Sequence, residues 1–569
     1  MNISKKEQLI HSHFSGRFAI EDQGTHYLLT GSAPTWADAS GAAAMIAKKG
    51  SKKHVVNAVT VQDKPLTPMQ LPAIKDSLLN GQKPDVLIIG GGIVGCAVAR
   101  ELSSKNLDIL LVEKEYDVAV QTSSRNDGMI HPGIDIKPGL LKKKMNNIGN
   151  KMYDDLCDAL QVPFHRTGQY LCFNKKWILP LLYLSLPYWR LTLPGKVKVI
   201  SKKKLHRLEP GVSQEAECAL FFASAGMVCP YGLTIAMAEN AVDNGVQISL
   251  DTAVTAIDTE NGKITCVHTN RGKIYPSLVI NCAGVFAEDV AAMADDRFFS
   301  IHPRKGTNAI LDKKARKNVN TIYSFIGTMS KTSHSKGGGI VGTAHGNVLI
   351  GPDAVETNER EDFTTHADSI NQTFFKQQHA APWLSKGDII TYFSGIRAAT
   401  YEEDFIIEPG RNCENIIHAA GIQSPGLTAA PAIAVNVRDL AVEFLSRFKE
   451  ITDNKNFSPK RTAIINPKTL SPAERDALIK QNPDYGQIVC RCEEVSKGEI
   501  LDAMNRSLPC QTLDGIKRRV RPGMGRCQGG FCGPLITRLI SEHFGTPLND
   551  VRKAGAGSEI LVGEKGGLQ

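Results

Sequence analysis

The sequence predicts a multidomain protein of mixed α/β and α+β class, built around a dinucleotide-binding βαβ unit. Three observations carry this. The chain has 569 residues, too many for one hydrophobic core, which implies roughly two to four domains. The stretch Asp85-Val86-Leu87-Ile88-Ile89-Gly90-Gly91-Gly92-Ile93-Val94-Gly95 couples an apolar, β-rich run to glycines spaced G-x-G-x-x-G. Near the other end, Cys490 and Cys492 form one close pair of cysteines, and Cys527 and Cys532 another.

Composition narrows the class. With 42% hydrophobic and 22% charged residues, the chain reads as an ordinary globular protein. Its net charge of +9 suits a small anionic substrate or an acidic partner. No long Lys/Arg tract argues for nucleic acid. Met1-Asn2-Ile3-Ser4-Lys5-Lys6 leads into polar sequence without the apolar core of a signal peptide, and no apolar run is long enough to span a bilayer. A cytoplasmic protein is expected, with peripheral contact at the inner face of the cell membrane as its extension. In that setting the 13 cysteines are reduced thiols or metal ligands rather than disulfides.

Residues 1–64 read as a small separate α/β module. Phe18-Ala19-Ile20 and Tyr27-Leu28-Leu29 are strands around a Gly24 turn, a helix pattern runs from Trp36 to Ala47, and a strand covers Val55–Val61. The order, with Leu29-x-Gly31 and a late Val-x-Asn-x-Val, resembles a BON-type domain, which implies membrane or partner contact. A plain accessory module is the other reading. A linker over 65–84 follows, opening with Pro65 and Pro68.

The nucleotide unit comes next. Gly90, Gly92 and Gly95 let the backbone turn tightly and approach a pyrophosphate, whose charge then sits at a helix N-terminus. Ile109-Leu110-Leu111-Val112 is the second strand, and Glu113 at its end can accept hydrogen bonds from a ribose hydroxyl. A glycine-rich turn in an ordinary βαβ unit is the bland alternative. Here strand, helix, second strand and acid all fall in place.

The loop after Glu113 carries Ser123, Asn126, Gly128, His131 and Gly133 in the pattern S-x-x-N-x-G-x-x-H-x-G. With these residues the chain resembles the flavin-dependent oxidoreductases of the D-amino-acid-oxidase superfamily. Within it, the glycerol-3-phosphate and L-2-hydroxyglutarate dehydrogenases are the nearest groups. The resemblance implies FAD as the first cofactor, and a Rossmann-like FAD-binding domain interleaved with an antiparallel-sheet substrate domain over 85–450. It places Ser123, Ser124 and Asn126 against the flavin. His131 then has two main readings, as the base that takes a hydroxyl proton while hydride leaves carbon, or as a hydrogen-bonding partner of flavin or loop. Covalent attachment to the flavin is a third.

Further landmarks follow in order. Leu208-Glu209-Pro210 and Gly226–Thr234 match the family, and an Asn261-Gly262 turn joins a β-pair expected to cover the nucleotide domain. Gly284, after the strand Leu278–Asn281, lies in relatives by the pyrophosphate or adenine side of FAD. His302-Pro303-Arg304-Lys305-Gly306 resembles the P-x-[RK]-G strand, which makes Arg304 and Lys305 candidates for binding an anion; solvated surface charge is their alternative. Arg397, in Gly395-Ile396-Arg397, offers a planar fork to a carboxylate or phosphate, or else pairs internally with Glu403 or Asp404. Gly421, Gly426, Leu427 and Thr428 open the closing helix toward the flavin, whose reduced, anionic form its positive end favours.

The most apolar stretch is Trp177–Leu191. Its aromatics and the nearby Lys202-Lys203-Lys204 suit an interfacial membrane contact, but buried packing within the substrate domain is the favoured expectation. Prolines interrupt it and argue against a spanning helix.

A polar linker over 451–485 leads to the last domain, 486–550, with a flexible tail expected over 551–569. After Cys490-Arg491-Cys492 come 34 intervening residues and then Cys527-x4-Cys532. Four thiolates in two tight pairs can hold zinc or an iron–sulfur cluster. The spacing, with Arg518, Arg519 and Arg521 before Gly523, resembles the bacterioferritin-associated-ferredoxin type of [2Fe–2S] domain. In anaerobic-type glycerol-3-phosphate dehydrogenases such a domain also follows the flavoprotein.

Together these readings imply an FAD-dependent dehydrogenase of a small anionic secondary alcohol. Hydride passes to FAD with His131 and Arg397 as catalytic residues, and electrons leave through a [2Fe–2S] cluster to a quinone or an acceptor protein. Domain arrangement favours sn-glycerol 3-phosphate, while the loop around His131 points partly to L-2-hydroxyglutarate. An amino-acid or amine dehydrogenase, and a relay protein that only passes electrons, are the alternatives from other classes.

Overall fold

A computed structural model describes residues 3–63, 67–326, 338–561 and 563. Its centre is a six-stranded sheet in the order Gln247–Ser249, Ile109–Val112, Val86–Ile89, Leu278–Asn281, Ile416–Ala420, Ile406–Pro409. All neighbours are parallel except the last pair. Every residue of Val86–Ile89, Ile109–Val112 and Leu278–Asn281 is buried, as expected for parallel strands covered on both faces. The helices Ile93–Leu102, Pro230–Asp243 and Gly426–Leu445 supply much of one covering core. On the other face lie the strands Val254–Glu260, Lys263–Thr269 and Gly272–Ile274. Their first hairpin turns at Asn261 (φ 50°) and Gly262 (φ 73°), the left-handed pair that a tight two-residue turn demands.

The substrate domain is a nine-stranded, largely antiparallel sheet, contributed by segments both before and after the third strand of the nucleotide unit. Its longest pairing joins Ile301–Leu311 to Ile389–Thr400. The two domains are therefore interleaved, as the sequence suggests.

The first module contains the expected strands and helix, and adds an initial helix, Ile3–His13. That helix buries Ile10 alone among its residues, so its apolar signal is faint. The module is not a detached appendage. His54 Nδ1 lies 3.0 Å from Glu402 Oε2, Val55 N–H donates to Glu402 Oε1 (2.9 Å), and Asn57 Nδ2 donates to the Tyr401 hydroxyl (2.9 Å).

Two expectations change. Residues 551–561 do not trail away, because Leu513 and Asp514 N–H groups donate to the carbonyls of Arg552 and Lys553. The rest of the expected tail, and Lys64–Leu66 at the start of the first linker, lie outside the described residues. The stretch expected to pack inside is a helix, Leu179–Thr192, apolar on both its inner and outer faces, of which only Leu182 is fully buried. Its inner face sits on Phe173, Val197, Leu220 and Phe222; its outer face is uncovered. Among the described residues, no helix is long and apolar enough to cross a membrane.

The last domain is a small helical unit over a two-stranded hairpin, Ile488–Cys490 and Val495–Ser496, with helices Lys497–Met504, Leu513–Val520 and Gly533–Phe544. It docks on the flavoprotein through buried charges. Asp117 takes Arg518 and Arg519 at 2.9 and 2.8 Å, and Glu493 takes Lys313 of the flavoprotein at 2.9 Å; within its own domain Glu493 also meets Arg521 at 3.2 Å.

Candidate active site and cysteine cluster

One cavity of about 390 Å³ is lined by both ends of the site, from Glu113 and Gly284 to His131, Arg304 and Arg397. At its nucleotide end Gly90 has φ 108°, and a Cβ there would come within 2.5 Å of the Cys282 carbonyl oxygen. A Cβ on Gly95 would meet the Gly90 oxygen at 1.9 Å. Gly95 therefore serves the close packing of helix on turn and does not line the cavity. Gly92 caps the helix Ile93–Leu102 without a side chain. Ser123 supplies the missing acceptor: its Oγ receives the Ile93 N–H at 2.8 Å.

Glu113 stands at the end of its strand, with Oε2 accepting the Gly91 N–H (2.6 Å) and Oε1 the Glu115 N–H (2.9 Å). Burial, aided by Glu115, raises its carboxyl to about 7. A carboxylate next to glycine backbone, with space beyond, fits a ribose diol and pyrophosphate. The backbone cradle and the carboxylate beside it fit the dinucleotide part of FAD.

The loop before His131 is stapled rather than free. Asn126 Nδ2 donates to the carbonyls of Thr122 and Ser123 (3.1 and 3.0 Å), while its Oδ1 accepts the Gly128 N–H. Ser124 bonds back to Val120 and does not line the cavity. Thr428 and Gly421 are also off the cavity wall, whereas Gly426 and Leu427 are on it. Thr428 acts on His131 instead, accepting its N–H at 2.8 Å. Gly421 has φ 65°, and a Cβ there would press on Thr400.

His131 is held on several sides. Its carbonyl accepts from Asn150 Nδ2 (3.0 Å), and its ring Nδ1 accepts the Gly133 N–H (2.9 Å). With Nδ1 so occupied, a neutral ring carries its proton on Nε2 and is a donor there. Nε2 faces Asp135 Oδ2 at 3.7 Å. Asp127, which sequence reasoning passed over between Asn126 and Gly128, lines the same cavity. Burial raises its carboxyl, opposed by the Met129 N–H and by Arg397.

Three cations expected to bind an anion separate cleanly. Along Ile301–Leu311, Arg304 and Gly306 line the cavity but Lys305 does not, because neighbours in a strand face opposite ways. Lys305 instead meets Asp362 at 2.9 Å. Arg304 spans two carboxylates, Glu356 at 2.6 Å and Glu403 at 2.7 Å. Although burial opposes it, Arg304 holds Glu403 down to about 2. Arg397 lies opposite Arg304 in register, and its guanidinium passes over Gly306, where a Cβ would come within 2.4 Å. Its Nη2 donates to the Asp353 carbonyl at 3.2 Å. Among the described residues it has no ion pair: Arg304 has taken Glu403, and Asp404 caps the N–H groups of Leu141 and Lys142. Burial and Arg304 both push the Arg397 guanidinium down, so an anion placed against it would be favoured.

The four cysteines converge as expected. Cys492 and Cys527 sulfurs are 3.6 Å apart, and Cys532 hydrogen-bonds Cys490, pulling the Cys490 thiol down to about 6. A Cβ on Gly525 would lie 2.5 Å from the Cys492 Cβ, so glycine lets the loop close over the sulfurs. This all-thiol set fits an iron–sulfur cluster, with Cys490 and Cys532 buried and Cys492 exposed. Cys510 is buried in the domain core, away from this set. The cysteine loop is hydrogen-bonded to the flavoprotein. Arg521 bonds Glu493, next to Cys492, and the Tyr231 hydroxyl (3.2 Å each). Tyr231 follows the strand Gly226–Val228, which pairs with Met129–Ile130 immediately before His131.

Comparison with known proteins gives the same division. Residues 85–440 match the model of the DAO family, FAD dependent oxidoreductase. Residues 488–542 match the BFD-like [2Fe-2S] binding domain. A glycerol 3-phosphate dehydrogenase of Caloramator mitchellensis is 38% identical over 480 residues, covering 84% of this chain and 98% of that protein. One chain of the anaerobic glycerol-3-phosphate dehydrogenase of Escherichia coli (strain K12) is 24% identical over 515 residues, covering 81% of this chain and 89% of that protein. Among solved structures, the reduced L-alpha-glycerophosphate oxidase of Mycoplasma pneumoniae with FAD bound superposes with a TM-score of 0.61 at 28% identity, covering 67% of this chain and 98% of that one.

Proposed function

The chain belongs to the FAD-dependent oxidoreductase family, and on that premise we propose that it oxidises sn-glycerol 3-phosphate to dihydroxyacetone phosphate. Bound FAD would supply the hydride acceptor, and a [2Fe–2S] centre held by Cys490, Cys492, Cys527 and Cys532 would supply single-electron transfer to a quinone or a partner carrier. The observation that carries the reading is Arg397: a cation in the cavity wall, without a carboxylate of its own among the described residues, on the same cavity as His131. A guanidinium fork in that state is matched by a phosphate dianion.

In this reading Arg397 holds the phosphate. His131 donates from Nε2 to the reacting oxygen, and Asp127, the raised carboxyl, receives the hydroxyl proton. Arg304, tied to Glu356 and Glu403, shapes the wall and adds positive potential without being the primary anion ligand. The nucleotide end is assigned to Gly90, Gly92, Glu113, Gly284 and Gly426, with Ser123 and Asn126 shaping the flavin loop. Cys490, Cys492, Cys527 and Cys532 are assigned as cluster ligands. The protein works in the cytoplasm, peripheral to the inner face of the membrane.

The test is anaerobic titration of the purified holoprotein with glycerol 3-phosphate and, separately, L-2-hydroxyglutarate. Loss of the flavin band with the phosphate alone supports the proposal. Loss with the hydroxy acid alone moves the enzyme to the other branch.

A further inference from the structure

The outer face of the helix Leu179–Thr192 and the turn before it carry Trp177, Leu181, Leu184, Tyr188 and Leu191. Trp177 is 68% exposed, Leu184 77% and Leu191 88%. Their spacing of four and three residues puts all five within an arc of about 80° at helical pitch. The opposite face is already used on the sheet edge, where Leu182, Leu186 and Trp189 meet Phe222 and its neighbours. The outward stripe therefore contributes nothing to the core of this chain.

Charge within the segment that carries the stripe has one sign. From Asn174 to Lys204 the chain has eight Lys or Arg and no Asp or Glu. The helix leads directly into Val197–Ser201, the edge strand of the nine-stranded sheet, and then into the exposed Lys202-Lys203-Lys204. Lys202 is taken by Glu217. Lys203 and Lys204 have no ion pair among the described residues.

We infer that this helix face is a docking surface for an anionic lipid bilayer, seating its leucines at the acyl boundary and its cations among the headgroups. An apolar stripe with aromatic rings, flanked in sequence by basic residues alone, suits an interfacial contact. A second copy of this chain would bring two basic patches together, which opposes self-association through the same face. The inference deepens the proposed peripheral location, and its failure leaves the proposed oxidation of glycerol 3-phosphate standing.

The experiment is vesicle flotation of the full-length holoprotein, with phosphatidylcholine alone and with phosphatidylcholine containing one quarter phosphatidylglycerol. Binding is expected to the mixed vesicles and not to the neutral ones, weakening with salt. Leu184→Ser with Leu191→Ser should reduce partitioning about a hundredfold. Lys203→Gln with Lys204→Gln should reduce it by roughly thirtyfold. Both variants should keep their flavin spectrum and their flavin reduction by glycerol 3-phosphate. Absence of binding to mixed vesicles by the unaltered protein overturns the inference. Binding that neither pair weakens, or a dimer in solution that the leucine pair dissolves, overturns it as well.

Discussion

Glu402 and Glu403 are adjacent in the chain and hold opposite sides of the molecule. Glu402 faces outward to the N-terminal module, with one oxygen 3.0 Å from His54 Nδ1 and the other accepting the Val55 N–H at 2.9 Å. Glu403, with φ 55°, turns inward to Arg304 at 2.7 Å and Gln423 at 2.7 Å. On either side, Tyr401 stacks on His302 with ring centroids 4.5 Å apart, and Asp404 caps the helix that begins at Leu141. Four consecutive residues thus join the module, the substrate sheet and the cavity wall.

This junction makes the module a brace for the site. Glu402→Ala leaves the Val55 N–H and the His54 ring buried without their acceptor, at a cost of about 1–3 kcal/mol. Faster hydrogen exchange over 54–61 is expected, with a raised KM for substrate. Unchanged exchange with unchanged KM would show that the contact is incidental.

Arg397 and Arg304 should respond differently to the same change. Arg397→Gln removes the proposed phosphate ligand, and kcat/KM should fall roughly ten- to a hundredfold, with little effect on thermal stability. Arg304→Gln leaves Glu356 and Glu403 without their cation. It should lower stability by about 2 kcal/mol, less than for a fully buried pair because both carboxylates are part-exposed. Steady-state kinetics and thermal unfolding of both variants make the comparison.

Asp127 and His131 divide one task in the proposed reaction. Asp127→Asn should abolish flavin reduction across the pH range and remove the acidic limb of its pH profile. His131→Asn retains a side-chain donor and should keep part of the rate, along with the acidic limb. Rapid-mixing measurement of flavin reduction against pH distinguishes the two. Loss of the acidic limb in the histidine variant alone would return the base role to His131.

Glu113 gives the FAD-free protein a pH signature. Its carboxyl rises on folding from 4.5 to about 7, so between these values the folded state binds more protons than the unfolded one. Its contribution is fully present below pH 4.5 and is lost as pH rises through about 7. Glu113→Gln should remove this component of the fall in melting temperature across that window, and should also weaken FAD binding. Thermal unfolding of the FAD-free variant and parent measures both.

The sequence made the nucleotide unit legible because its signals are local: an apolar strand, a glycine turn and an acid at the next strand end. The same holds for the paired cysteines. Local signals reported less about direction. Nothing in Arg304-Lys305 says which cation faces inward, since that depends on the strand's register against Glu356 and Arg397. Asp127 was hidden between two motif residues, and the donor state of His131 depends on a bond from Gly133 that only loop geometry reveals. The stretch Trp177–Leu191 misled for a related reason. Leucine lay on every side of it, and apolar content alone does not tell a helix sunk in a core from one with a single face seated.

In the proposed reaction the cavity next to Arg397 accepts glycerol 3-phosphate for oxidation by FAD, and the electrons pass to the thiolate-bound cluster. Anaerobic titration of the holoprotein, followed by visible absorbance and by electron paramagnetic resonance of the same samples, tests it most directly. Bleaching of the flavin band by glycerol 3-phosphate is expected, together with the signal of a reduced [2Fe–2S] cluster that is absent from Cys492→Ser. A flavin that stays oxidised with glycerol 3-phosphate, while cofactor content is normal, would contradict it.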